Sequence, residues 1–138
     1  MKIKKLLSSA KLPVKAYPRD AGFDVFAPYG FWLNKKEVAQ VKLGVAIELN
    51  SEEVCIMSER SGMAIKFGIT SIGNVIDANY RGEISIILIN LGTEDVYFNQ
   101  GDRIGQMLIM QLGNQRLEEV EQLSETTRGN NAHYSSGV

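Results

Sequence analysis

Residues 73–90 read G-N-V-I-D-A-N-Y-R-G-E-I-S-I-I-L-I-N, a turn-forming run rich in glycine and asparagine followed at once by a β-branched apolar run. This pattern predicts a loop or tight hairpin that leads into a buried strand. Asp77 lies between residue types that prefer burial, so we expect its carboxylate to be poorly solvated. A poorly solvated carboxylate is a candidate general base. An ordinary turn has the same composition, and the segment alone leaves both roles open.

Alternation of apolar and polar residues continues on both sides of this segment. The pattern predicts short strands at 1–7, 23–27, 38–43, 45–49, 54–57, 84–90, 95–98 and 103–110. Turn residues, chiefly glycine and asparagine, separate them. Residues 61–66 predict a turn or two of helix, and residues 117–123 are interpreted as a further strand. Many short strands with frequent turns predict an all-β barrel or sandwich.

Length and charge narrow the class of protein. A chain of 138 residues suits one domain with its own core, and its formal net charge of −1 is nearly balanced. No basic stripe is present, which disfavours a polymeric nucleic-acid partner. The single cysteine, Cys55, excludes an internal disulfide, and its apolar neighbours predict a small core residue in a reduced compartment.

The first residues resemble a signal peptide only superficially. Residues 1–7 are basic and then apolar, but the apolar part stops at Leu7, so an amphipathic first strand is the better interpretation. The chain has no apolar run of membrane-spanning length. We therefore expect a soluble, cytoplasmic protein without a membrane partner.

Two segments combine residue types that bind phosphate. Arg60, Ser61 and Gly62 place a guanidinium, a hydroxyl and a glycine amide at the start of the possible helix, where anions are favoured. Residues 101–106 predict a turn that enters a strand, with Asp102 and Arg103 expected to form a surface ion pair. Each segment alone is also typical of an ordinary surface.

The composition changes after residue 123. Residues 124–138 are rich in serine, threonine, asparagine and glycine, which predicts a flexible segment. Arg128 with Ser135 and Ser136 supplies a cation and two hydroxyls, the groups that a lid over phosphate requires. A frayed terminus without function has the same composition.

Taken in order, five segments resemble the five sequence motifs of the trimeric dUTP pyrophosphatase family. They are A-G-F-D at 21–24 for A-G-Y/F-D, R-S-G-M-A at 60–64 for R-S-G/S-L-A, G-N-V-I-D-A-N-Y-R-G-E at 73–83 for G-V-I-D-x-D-Y-R-G-E/N, G-D-R-I-G-Q-M at 101–107 for G-D-R-I-A-Q-L/M, and Arg128-Gly129 with Ser135-Ser136-Gly137 for R-G-x-G-G-F-G-S-T-G. The resemblance covers nearly the whole chain. It implies a jelly-roll-like β-barrel over residues 1–123, a flexible C-terminal lid over 124–138, and a homotrimer whose active sites lie between subunits.

The resemblance also implies an activity, the hydrolysis of dUTP to dUMP and pyrophosphate, which keeps uracil out of DNA and supplies dUMP for dTMP synthesis. Asp77 occupies the position of the family's water-activating carboxylate, and it is also a candidate to bind the sugar 3′-hydroxyl. Tyr80 matches the aromatic residue that packs against deoxyribose and excludes a 2′-hydroxyl. Asn74 lies in the segment whose main-chain groups are implied to bind uracil and to determine the specificity for it.

The remaining implied contacts concern the phosphates and the base. Mg²⁺ is implied on the triphosphate oxygens, without direct protein ligands, and Asp24 is a candidate to reach it through water. The residues implied to bind phosphate are Arg60, Ser61, Gly62, Gln106, Ser135 and Ser136, with Arg128 reaching the γ-phosphate from a third subunit.

The chain departs from the family pattern at several positions. Asn74 replaces a glycine, Asn79 an aspartate and Gly105 an alanine, and none of these exchanges is expected to change the chemistry. His133 replaces the phenylalanine that stacks on uracil, so either His133 or Tyr134 is expected to cover the base. The altered tail predicts weaker substrate binding or a less ordered lid.

Two other functions are compatible with parts of this pattern. One is dCTP deaminase, alone or combined with dUTP hydrolysis, which shares the fold and parts of the third and fourth motifs. The other is a non-catalytic nucleotide-binding barrel, and the altered tail is the feature that favours this alternative. Tyr80, the segment at 60–64 and the tail favour dUTP hydrolysis.

Overall fold

The computed structural model describes residues 1–113 and 115–130, which form eleven strands and one helix. In chain order they are β1 Lys2–Lys5, β2 Gly22–Phe26, β3 Phe31–Leu33, β4 Val38–Lys42, β5 Val45–Glu48, β6 Glu53–Ser58, α1 Ser61–Phe67, β7 Ile69–Ile72, β8 Val75–Ile76, β9 Ser85–Asn90, β10 Val96–Phe98 and β11 Arg103–Gln111. The predicted all-β class is confirmed. Most predicted strands are present, whereas β3, β7 and the two-residue β8 were not predicted as strands.

Four antiparallel sheets enclose the core. Their strand orders are β2-β11-β6-β8, β4-β9-β7, β1-β5 and β10-β3. The chain leaves one sheet and joins another between β7 and β8, where Gly73 has φ 63°. Because β7 pairs with β9 and β8 pairs with β6, these two strands do not form a hairpin with each other. We call residues 69–76, which pass from one sheet to the other, the crossing loop.

Strands from all four sheets contribute to the core. Ile86 and Leu88 of β9 are fully buried, as are Ile104 and Met107 of β11. The predicted buried strand is β9, on which buried residues alternate with half-buried ones, so one face is buried and the other is only partly covered in the single chain. An antiparallel sheet commonly leaves one face open in this way.

Cys55 is fully buried on β6, which confirms its predicted place in the core. Burial raises the pKa of the Cys55 thiol to about 11, because the thiolate would lose its hydration there. The thiol therefore remains protonated.

Both ends of the chain differ from expectation. All four residues of β1 are exposed, so this strand is paired with β5 but has no buried face. The strand predicted at 117–123 is absent, and Leu117, Val120 and Leu123 are exposed. Their spacing of three residues does not match strand alternation, so they do not share one face of a strand. Among the described residues no helix has the length and apolarity needed to cross a membrane.

Gly105 lies on β11 where the strand packs tightly against Ile86 of β9. The register of β11 on β2 shifts between Arg103 and Gly105. A Cβ atom at Gly105 would collide with Cδ1 of Ile86 and lie 2.9 Å from the Ser58 carbonyl oxygen. The glycine is therefore a packing requirement of this chain.

We expect Gly105→Ala to lower the free energy of unfolding by about 1–3 kcal/mol, because overpacking strains a filled core. Thermal and urea denaturation at fixed protein concentration measure the loss. Ile86→Val removes Cδ1, so it should cost less in the Gly105→Ala background than in the wild type. Equal costs in both backgrounds would show that Ile86 is not the colliding group.

Candidate active site

Strand register brings together several of the residues that were expected to bind phosphate. Gln106 of β11 pairs with Asp24 of β2 on one side and with Ser58 of β6 on the other. Since β6 ends at Ser58, the chain then passes directly into Arg60 and α1. A cavity of about 390 Å³ lies here, which we call the arginine cavity. Its polar lining residues are Tyr17, Asp20, Asp24, Arg60, Ser61 and Gln106.

Asp24 lies between two guanidinium groups. Its Oδ1 is 3.1 Å from Nε of Arg60, and its Oδ2 is 2.8 Å from Nε of Arg103. The Asp24 side chain is 11% exposed, whereas the two arginines are 40% and 47% exposed. The carboxylate therefore anchors two cations whose outer nitrogens remain near solvent.

The predicted ion pair between Asp102 and Arg103 is wrong. Asp102 accepts a hydrogen bond from the Asn99 backbone N–H at 2.7 Å and closes the turn before β11. Arg103 reaches instead to Asp24 across the β2–β11 pair. Sequence reasoning missed Arg103 as a site residue, although the alternation of side chains along the two strands could have indicated it.

Gln106 and α1 complete this side of the site. Nε2 of Gln106 donates to the Glu59 carbonyl oxygen at 3.2 Å. Its Oε1 lies against Gly22, where a Cβ atom would approach to 2.6 Å. Gly62 differs, because a Cβ there would meet no atom of the described residues within 4 Å. Packing among these residues therefore does not require a glycine at position 62.

Asp77 lies on a separate turn. Hydrogen bonds hold this turn, from the Tyr80 N–H to the Asp77 carbonyl oxygen at 3.1 Å and from Nη1 of Arg81 to the Ala78 carbonyl oxygen at 2.6 Å. The Tyr80 hydroxyl donates to the Glu83 carbonyl oxygen at 3.1 Å. Asp77 is exposed, so the expectation of a poorly solvated carboxylate is wrong for the single chain.

Asp77 also lines a cavity of about 260 Å³, which we call the aspartate cavity. Tyr80, Glu83, Val75 and Ile87 contribute to its wall. Val75 is 64% exposed although it is apolar. The wall therefore includes apolar surface that the chain itself does not cover.

The two cavities are distinct within one chain. Ile76 pairs with Cys55, three residues before Ser58 on β6, and Asp77 continues in the direction away from Ser58. Strand residues advance about 3.3 Å each, so about 10 Å separates Cys55 from Ser58 along β6. Hydrogen-bond reach is about 3 Å. Asp77 therefore does not act on a phosphate held in the arginine cavity of its own chain.

Asn74 is held at the base of the crossing loop. Its Nδ2 donates to the Ser71 carbonyl oxygen at 3.3 Å and to Ser71 Oγ at 3.1 Å. Asn74 Oδ1 is buried without a hydrogen-bond partner among the described residues. The left-handed backbone conformation of this segment occurs at Gly73 and not at Asn74. An asparagine in place of the family's glycine at position 74 therefore does not have to adopt it.

Comparison with known proteins gives these residues a family. The sequence model of the dUTPase family matches residues 8–137. This chain belongs to the dUTPase family. The deoxyuridine 5'-triphosphate nucleotidohydrolase of Clostridium novyi is 40% identical over 138 residues, which cover 99% of this chain and 97% of that protein.

Solved dUTPases have the same fold, the jelly-roll fold expected from the motifs. A dUTPase mutant of Staphylococcus bacteriophage 80alpha with dUpNHpp has a TM-score of 0.93 at 25% identity, covering 99% of this chain and 98% of that chain. A mutant dUTPase from phage phi11 of S. aureus, whose structure concerns the coordination of a structural Mg(II) ion, has a TM-score of 0.82 at 23% identity. The alignment with the phi11 protein covers 88% of this chain and 96% of that chain.

The acidic side chains that line the arginine cavity are those of Asp20 and Asp24. The described residues contain no group of three or more histidine, cysteine, aspartate or glutamate side chains able to hold a metal. Each oxygen of Asp24 already contacts a guanidinium. Mg²⁺ keeps several waters and commonly enters with phosphate, so the absence of such a cage among these residues is compatible with its use.

The tail is only partly described. Arg128 is exposed, and the Gly129 N–H donates to the Thr126 carbonyl oxygen at 3.1 Å. His133, Tyr134, Ser135 and Ser136 lie outside the described residues. Their proposed contacts with base and phosphate remain predictions.

We expect Asp24→Asn to lower the free energy of unfolding by about 1–2 kcal/mol, because two guanidiniums lose their shared anion. Hydrogen bonds to charged groups contribute about 1.5–3 kcal/mol, and partial exposure of the arginines reduces this. Urea denaturation at low and high salt measures it. The control Glu48→Gln breaks an exposed pair with Lys2 and should have no measurable effect. Equal effects of the two variants would contradict a special role for Asp24.

Proposed function

We propose that this protein hydrolyses dUTP to dUMP and pyrophosphate at active sites formed between copies of the chain. Membership of the dUTPase family supports the reaction. The proposal of a shared site rests on one observation. Asp77 lines the aspartate cavity, whereas Arg60 and Gln106 line the separate arginine cavity. A second copy would bring the aspartate cavity of one chain to the arginine cavity of another.

The arginine cavity supplies the groups that a triphosphate requires. Arg60 and Gln106 would contact phosphate oxygens, together with Ser61 and the main chain at Gly62. The open space beside Gly62 leaves room for such a close approach. Because cations fixed in advance need no reorganisation, they stabilise the charge that develops on the phosphates.

Asp77 of a neighbouring copy would activate the nucleophile. In this role its carboxylate takes a proton from a water aligned on the α-phosphorus, the water oxygen bonds to phosphorus, and pyrophosphate leaves. Its exposure in the single chain is compatible with this role, because the second copy would cover it. Tyr80 would pack against deoxyribose, and Asn74 would lie near uracil.

The remaining parts of the site come from the triphosphate and the tail. When bound, Mg²⁺ neutralises phosphate charge and orients the oxygens, and Asp24 would reach its hydration water. Arg128 would contact the γ-phosphate, with Ser135 and Ser136 as further phosphate ligands. Either His133 or Tyr134 would cover the base.

We further propose that the assembly is a homotrimer that acts in the cytoplasm. Exposed apolar residues between β11 and the lid segment, and one in the wall of the aspartate cavity, support contact between copies. They are Val75, Leu117, Val120 and Leu123. Residues 124–138 would then act as the lid of the barrel formed by residues 1–123.

Asp77→Asn should abolish most hydrolysis while substrate binding remains, because the amide keeps the shape of the base but does not accept the proton. We expect a loss in kcat of about a hundredfold or more. Pyrophosphate release from dUTP with Mg²⁺ measures turnover, and binding of dUpNHpp measures affinity. Asp95→Asn is the matched control, because Asp95 accepts from the Lys35 backbone N–H and lines neither the arginine cavity nor the aspartate cavity.

The same assay tests the function itself. We expect the wild type to release pyrophosphate from dUTP far faster than from the four common dNTPs, and to require Mg²⁺. Ammonia release from dCTP would indicate a deaminase, and binding of dUpNHpp without turnover would indicate a non-catalytic barrel. Nearly normal turnover by Asp77→Asn would refute its role as the base.

Truncation after Thr127 tests the lid. We expect the truncated protein to keep its melting temperature and oligomeric state, because the described β-strands end at Gln111. Turnover of dUTP should fall, since Arg128 and the two serines are lost. Unchanged turnover would show that the tail does not close over substrate.

A further inference from the structure

Glu59 contacts both the crossing loop, at Ser71, and the phosphate-binding residue Gln106. It follows β6 and precedes Arg60, and its Oε2 accepts hydrogen bonds from the Ser71 hydroxyl at 2.8 Å and from the Ser71 N–H at 3.2 Å. Ser71 Oγ in turn accepts from Nδ2 of Asn74 at 3.1 Å. The Glu59 carbonyl oxygen accepts from Nε2 of Gln106.

The chemistry of these groups fixes the direction of each hydrogen bond. An ionised carboxylate only accepts, so the Ser71 hydroxyl proton points toward Glu59. Hydrogen bonds from the backbone N–H of Glu59 and from the Ser71 hydroxyl lower the pKa of the Glu59 carboxyl group, which keeps it ionised at neutral pH. The lone pairs of Ser71 Oγ then remain for Nδ2 of Asn74, which also donates to the Ser71 carbonyl oxygen.

The result is a fixed orientation for the Asn74 side chain. Since Nδ2 is directed to Ser71, Oδ1 is directed away from it. The Asn74 backbone is also held, because its carbonyl oxygen accepts from the Met57 N–H at 2.8 Å. The main chain of Asn74 is thus held directly by β6, whereas the orientation of its side chain depends on the path through Ser71 and Glu59.

We propose that Glu59 is a positioning residue that sets both the selectivity for the base and the binding of the phosphates. Its carboxylate acts toward the base through Ser71 and Asn74. Holding that carboxylate also fixes the adjoining main chain, whose carbonyl oxygen accepts from Gln106 and which continues into Arg60. This inference rests on the proposed dUTP hydrolysis and assigns Glu59 no contact with substrate. Charge-assisted hydrogen bonds of this kind are stronger than neutral ones, so the path is stiff.

The test uses the full-length assembled protein and the variants Glu59→Ala, Glu59→Gln, Ser71→Ala and the double alanine variant. We expect Glu59→Ala to raise KM for dUTP about tenfold and to reduce the preference for dUTP over dCTP in kcat/KM, with a smaller change in kcat. Loss of a hydrogen bond to a charged group is of this order. Glu59→Gln should recover most of the loss, because its amide oxygen still accepts from Ser71.

The double variant should be no worse than Glu59→Ala alone, because the two side chains belong to one network. Glu52→Ala changes an exposed glutamate on the turn before β6 and should match the wild type. Additive losses, or unchanged KM and selectivity in Glu59→Ala, would overturn the positioning role. Ser71→Ala provides the comparison if Glu59→Ala fails to fold.

Hydrogen exchange separates this inference from the proposed function. The Ser71 amide donates to Glu59, so its exchange rate should rise at least tenfold in Glu59→Ala and stay unchanged in Glu52→Ala. An unchanged rate would overturn the network whatever the enzyme does. A wild type that releases no pyrophosphate from dUTP would overturn the proposed function instead, while the exchange result still decides whether Glu59 holds the loop.

Discussion

The pairing of β11 with both β2 and β6 is the constraint on which the rest of the site depends. It fixes Gln106 opposite Asp24 on one side and opposite Ser58 on the other. Because β6 ends at Ser58, Arg60 lies close to this pair of strands, and its guanidinium forms an ion pair with the Asp24 carboxylate. A one-residue slip of β11 would turn Gln106 to the other face of the sheet. The close packing of Gly105 against Ile86 opposes such a slip.

The same antiparallel geometry that gathers the phosphate-binding groups keeps the proposed base away from them. The strand β8 pairs with the far part of β6, and the chain leaves it in the direction away from Arg60. No side-chain rotation covers a separation of this size. A short chain can nevertheless form a complete site when several copies each contribute one part, so the scattered motifs and the exposed Asp77 have a common explanation in the proposed assembly.

Sequence patterns predicted the strands well, because apolar alternation and turn residues are local signals. They failed where the outcome depends on which strands are neighbours. The apolar composition of β9 predicted a buried strand, and the flanking apolar residues predicted a poorly solvated Asp77, yet alternate residues of β9 are only half-buried and Asp77 is exposed in the single chain. Arg103 was assigned to its sequence neighbour Asp102, whereas its side chain reaches Asp24 on the neighbouring strand β2. The motifs identified the family, but only the fold showed how Glu59 connects two of them.

The buried thiol of Cys55 has a practical consequence for studying this protein. Its sulfur lies inside the sheet that carries the phosphate-binding residues, and its raised pKa leaves little of the reactive thiolate. Alkylating reagents and oxidants would reach it only when the sheet opens. Since it is the single cysteine of the chain, its rate of chemical labelling would follow the opening of that sheet without an engineered probe.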